Sequence, residues 1–168
     1  MIRFLILPAI ITLLCTCSKN STAVSSIYKT DAAGFLLDGP VNDGQWRNKE
    51  FTSSEMNMFV DLDTADLTGT TMPGISQPYY GYPNPFKNYI NLAASIDQSW
   101  TGELVVKFVV VNGNSNVVQK GAARIYANGN IHFMVPVNFS NGNYRLYFTY
   151  SAEHHEHFFK SWGNIQKQ

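Results

Sequence analysis

The chain has 168 residues, and its 12 Lys and Arg balance 12 Asp and Glu. That length fits one domain plus a processed segment. A charged fraction of 14%, against a usual ~25%, excludes a disordered acidic or basic tail, and the zero net charge argues against a nucleic-acid partner.

The N-terminus opens with Met1-Ile2-Arg3 and an apolar run from Phe4 to Leu14, interrupted by Pro8 and Thr12. Such a run is too short for a hydrocarbon core that needs about 20 residues, so it reads as a signal-peptide core. Leu14-Cys15-Thr16-Cys17-Ser18 follows. A lipoprotein signal places Leu three residues before the lipidated Cys, with small residues between, and Cys17 meets that spacing. Cys15 fits worse, because Leu13 and Leu14 would fill the small-residue positions. Ordinary secretion, with cleavage after Ser18 or Ala23, is the alternative. Both cysteines of the chain lie in this segment, so the exported body needs no disulfide. The expected divisions are a signal peptide over 1–16, a flexible tether over 17–34, N-terminal strands and loops over 35–85, and a sandwich module over 86–168.

The Ser/Thr/Asn-rich stretch from Ser18 to about Thr30 has little periodicity. Phe35-Leu36-Leu37 reads as a short strand among turn residues. Glu55–Leu62 alternates, with Met56, Met58, Val60 and Leu62 on one side, which predicts a half-buried strand. Thr68–Pro85, dense in Gly, Pro, Thr and Tyr, predicts a loop or linker. Strands are then expected at Tyr89–Ile96, Glu103–Val111, Asn116–Lys120, Ala122–Ala127, Ile131–Val137, Tyr144–Tyr150 and His157–Trp162. Asn112-Gly113, Asn128-Gly129 and Asn141-Gly142 are hairpin signals, because both central residues tolerate positive φ. Phe108 and Val110 should share one face of their strand, with Val109 and Val111 on the other. The predicted class is all-β, an immunoglobulin-like antiparallel β-sandwich after an N-terminal lipoprotein signal.

Tyr82-Pro83-Asn84-Pro85-Phe86, followed by Asn88-Tyr89-Ile90-Asn91-Leu92, resembles the opening of the type IX secretion C-terminal sorting domain. Val105–Gly113 is similar to the strand and turn that come next in that family, and Gly142-Asn143-Tyr144 resembles its Gly-x-Tyr element. The resemblance spans roughly Tyr82 to Lys160 and implies an immunoglobulin-like sandwich with an accessory role in export. The strand order and turns are equally similar to small immunoglobulin-like lipoproteins of Gram-negative cell envelopes.

Candidate chemistry is sparse. His154-His155-Glu156-His157 offers metal-capable side chains, but His132 is the one further His and no Cys follows the signal, so no metal site is expected. Asp61, Asp63 and Asp66 fail the calcium-loop pattern, which would need Gly where Asp66 stands and Glu where Met72 stands. No nucleophile elbow or phosphate loop is present. Catalytic residues and cofactors are therefore expected to be none. Tyr79, Tyr80 and Tyr82 form the one candidate binding surface, since Tyr offers a large amphipathic area at low entropic cost. Their alternative role is to cover the end of the core. The expected function is a non-enzymatic envelope protein of the outer membrane, lipid-anchored through Cys17, whose sandwich binds an envelope protein or a glycan. A sorting domain for export and a small enzyme with an unrecognised site are the alternatives.

Overall fold

Alternation fixes which face each strand buries. In β4 (Tyr89–Ile96) the residues Ile90, Leu92, Ala94 and Ile96 are buried, while Tyr89, Asn91, Ala93 and Ser95 point outward. The computed structural model describes residues 24, 26–40, 43–62, 72–78 and 80–168. Cys17, Tyr79, Asp63 and Asp66 lie outside them.

In chain order the elements are β1 (Lys29–Thr30), β2 (Leu36–Asp38), α1 (Ser53–Asn57), β3 (Ile75–Pro78), β4, β5 (Thr101–Val111), β6 (Val117–Asn128), β7 (Asn130–Pro136), β8 (Gly142–Ala152) and β9 (His155–Lys167). A three-stranded sheet β3-β4-β7 faces a four-stranded sheet β6-β5-β8-β9, with every pairing antiparallel. The protein is an all-β sandwich. The first, second and fifth sandwich strands form one layer and the third, sixth and seventh the other, as in an immunoglobulin-like order. The fourth strand, β6, pairs with β5 rather than with β7.

The main core lies between the sheets and includes Leu104, Val106, Phe108 and Val110 from β5. Val109 and Val111 fall in a second cluster on the outer face of the four-stranded sheet. Apart from the buried Lys107, residues 104–111 of the strand are thus apolar on both faces, because both faces are covered.

Four expectations change. Glu55–Leu62 is not a strand: Ser53–Asn57 is helical, followed by a turn. Thr52 and Glu55 form a capping box, with the Thr52 amide donating to Glu55 Oε2 at 2.7 Å and the Glu55 amide to Thr52 Oγ1 at 3.3 Å. These bonds nucleate a turn and override the alternation. The turn brings Phe59 down on Val109, Val111 and Tyr147, whereas Val60 stays 65% exposed. The loop expected over 68–85 contains β3. Asn116–Lys120 and Ala122–Ala127 are one strand, and Gly121 keeps it continuous by leaving room for the Phe108 ring. Finally, Asn128-Gly129 and Asn141-Gly142 are crossovers between the sheets, not hairpins. Asn112-Gly113 does join a hairpin, β5 to β6, as does Glu153-His154 between β8 and β9.

Tyr28 and Trp46 are buried in the same core as the sandwich strands. The segment around Trp46 runs beside β9, its amide donating to the Trp162 carbonyl at 2.7 Å and that of Lys49 to the Lys160 carbonyl at 2.9 Å. This covers an edge that would otherwise offer unpaired backbone groups. Asn84 ties the N-terminal part to β9. Fully buried, it donates through Nδ2 to the carbonyls of Tyr28 (2.8 Å) and Asn164 (3.0 Å), and its Oδ1 accepts from the Gln166 amide at 2.9 Å. Asn84 and the buried Phe86 therefore have a structural role within the Tyr82–Phe86 motif. No helix among the described residues is long and apolar enough to cross a membrane.

Candidate functional site

The outward residues of β4 and β7 meet in register on the open face of the three-stranded sheet. Tyr89 lies opposite Pro136, Asn91 opposite Met134, Ala93 opposite His132 and Ser95 opposite Asn130. Tyr82 joins this face through an antiparallel bridge, its amide donating to the Asn91 carbonyl at 3.1 Å and the Asn91 amide returning at 2.6 Å. The Tyr82 hydroxyl lies 3.0 Å from His132 Nε2, and the two rings are 6.2 Å apart. Gly34 closes behind the Tyr82 ring so tightly that a Cβ there would sit 3.2 Å from it. Thus the ring is held rather than free to rotate. Tyr89 and Met134 stay 44% and 54% exposed on the same face, an amphipathic platform.

This face runs into a cavity of about 400 Å³ lined by Ser76, Ser95, Ile96, Gln98, Asn128, Gly129 and Asn130. Ser95 and Asn130 belong to both, with Ser95 Oγ 3.4 Å from Asn130 Oδ1. Every polar side chain of the lining is a neutral amide or hydroxyl that both donates and accepts. No ionisable group is among them. A second cavity, of about 290 Å³, lies between Arg47, Asn48, residues 72–75 and Phe158-Phe159.

The structure separates the tyrosines read together from sequence. Tyr80 is partly buried against the main core and stacks on Tyr28 with centroids 4.9 Å apart. Burial, then the adjacent Asp43 carboxylate, pushes the Tyr28 hydroxyl above its usual pKa. Burial works the opposite way on Asp43, but hydrogen bonds from Gln45, Tyr28 and Ser26 outweigh it and hold that carboxyl below its ordinary value. Tyr82, by contrast, faces the sheet surface. Sequence reasoning passed over His132, Tyr89, Met134, Ser95 and Asn130 in this role. Their outward positions follow from alternation, but their pairing follows from register.

His154 and His155 sit exposed at the β8–β9 turn. His157 is half-buried, with Nδ1 2.9 Å from Thr149 Oγ1 and its amide donating to Ser151 Oγ at 2.9 Å. Among the described residues no group of three or more His, Cys, Asp or Glu is placed to hold a metal. Burial beneath Phe59, then the charge of Lys107, holds the His157 imidazole below its usual pKa, with Lys160 adding to this and Glu156 opposing it. The unfolded chain therefore binds this proton first as pH falls below about 6.5, and stability declines from there to the folded pKa. His157→Asn, which tolerates the local φ of 51°, should flatten that part of the profile. Urea midpoints between pH 7 and 5 measure it.

The chain matches no known family and no curated protein.

Proposed function

We propose that this is a non-enzymatic, lipid-anchored protein of the outer membrane that binds a neutral glycan on the open face of its three-stranded sheet. The supporting observation is the hydrogen-bonded Tyr82–His132 pair beside a cavity lined by neutral amides and hydroxyls. Sugars present apolar C–H faces that stack on rings, and hydroxyls that need partners able both to donate and to accept. Phosphorylated or carboxylated ligands would call for Arg or Lys at the same place, and the lining has none. Cys17, with Leu14 three residues before it, would carry the lipid.

The test uses the full chain made lipid-free by Cys15→Ser and Cys17→Ser, titrated with neutral envelope and extracellular polysaccharides. Tyr82→Ala and Asn130→Ala should each weaken binding by about 1.5 kcal/mol, roughly tenfold, while Val118→Ala on β6 leaves it unchanged. A chain that binds no neutral glycan, or a Tyr82→Ala variant that binds as before, would overturn the reading. In cells, Cys17→Ser alone should abolish incorporation of labelled fatty acid into the protein. Loss of the label with Cys15→Ser instead would move the anchor to Cys15.

A further inference from the structure

The β1–β2 hairpin presents a surface that the sandwich does not use. Residues 32–37, Ala-Ala-Gly-Phe-Leu-Leu, carry no charged or hydrogen-bonding side chain. Phe35 is 71% exposed, Leu36 46% and Leu37 67%. Three consecutive large apolar side chains held in water, at the turn and the start of β2, mark an interaction site.

The backbone at this tip is already satisfied from within. Asp31 Oδ1 accepts from the amides of Ala33 and Phe35, both at 2.9 Å, and the Asp31 carbonyl accepts from the Gly34 amide at 3.2 Å. The Asp31 amide in turn donates to the Phe35 carbonyl at 3.1 Å. Water would solvate such groups without help, whereas an acyl-chain boundary requires that they be paired internally. Of the flanking charges, Lys29 Nζ lies 3.2 Å from Asp38 Oδ2, and the Asp31 carboxylate accepts from the two tip amides. Gly34, at φ 88°, seats the hairpin on the Tyr82 ring, so the apolar residues are presented in one fixed arrangement.

Chain length fits the same partner. Tyr28, the first core residue among the described residues, follows Cys17 by eleven positions. That stretch spans at most about 40 Å when fully extended, and the hairpin begins at the next residue.

We infer that Phe35, Leu36 and Leu37 insert into the interface of a lipid bilayer, giving the domain a second membrane contact beside its lipid. The same contact would fix which way the domain faces. The inference takes its membrane setting from the Cys17 reading above, but the test does not depend on it.

The chain from residue 18 onward, free of both cysteines and of the apolar run over 4–14, is mixed with vesicles of phosphatidylethanolamine and phosphatidylcholine and floated on a density gradient. We expect co-flotation, reduced at least tenfold by Phe35→Ser with Leu37→Ser, which alter only exposed side chains and leave the urea midpoint unchanged. In the same lipid-free chain, an environment-sensitive dye on Leu36→Cys should shift to the blue with vesicles, and one on Val118→Cys should not. No flotation together with no shift at position 36, or equal flotation of the double variant, overturns the inference. Capture of a protein through this hairpin without vesicle binding overturns it as well. Failure of the lipidation reading shows separately, as a Cys17→Ser chain that still bears lipid.

Discussion

Gly163→Ala should destabilise the protein by about 3–5 kcal/mol, as much as losing Trp46 itself. Gly163 lies in β9 opposite Leu146, and a Cβ there would fall inside the Trp46 indole. Trp46 is only 2% exposed and packs near Phe148 in the main core. It has no room to retreat, because Gly81 closes on the far edge of the same ring. The methyl group would therefore expel the indole from the core. Trp46→Ala should cost a similar amount by leaving a cavity. The two changes should be strongly non-additive: in the Trp46→Ala background, Gly163→Ala should be neutral or slightly stabilising, since Ala restricts the unfolded chain more than Gly does. Urea unfolding of the four proteins measures the coupling. Additive losses would show that the indole does not rest on Gly163.

The second large effect is Val106→Asp. Val106 is fully buried and faces the inter-sheet core, with Ala123 opposite on β6 and Tyr150 on β8. No cation stands opposite an aspartate there, so the loss should be about 4–5 kcal/mol, a large share of the 5–15 kcal/mol typical of a domain. Val109→Asp should cost less although Val109 is equally buried, because Lys120 stands opposite it on the outer face. Hydrogen exchange supplies an independent check: the amides of 104–111 should be among the slowest in the chain, since β5 is paired on both sides and covered on both faces. Fast exchange there would contradict the central position of β5.

Several elements could be read locally because burial leaves a period-two imprint. Tyr89–Ile96 alternates and is half-buried, and the Leu104–Val111 run, apolar except for the buried Lys107, does lie between two covered faces. The Glu55–Leu62 segment misled for an equally local reason. Its apolar spacing satisfies a strand, yet the reciprocal Thr52–Glu55 bonds start a helical turn that delivers Phe59 to the sheet. The Asn-Gly signals were sound about chain reversal and silent about destination. Gly129 does adopt a φ of 69°, but the chain leaving it enters the opposite sheet. The candidate site was legible only in part: Tyr82 stood out by composition, whereas His132, 50 positions away, did not.

By itself, then, the sequence determined the all-β class, the positions of the main strands and which of their residues turn inward, because each depends on neighbours one or two positions apart. The tertiary structure alone decided which strands share a sheet, that Trp46 lies over Gly163, and that Tyr82, His132 and Asn130 meet on one face. Those contacts join residues far apart in the chain. Their register is set by the packing of the whole core, and no local pattern encodes it.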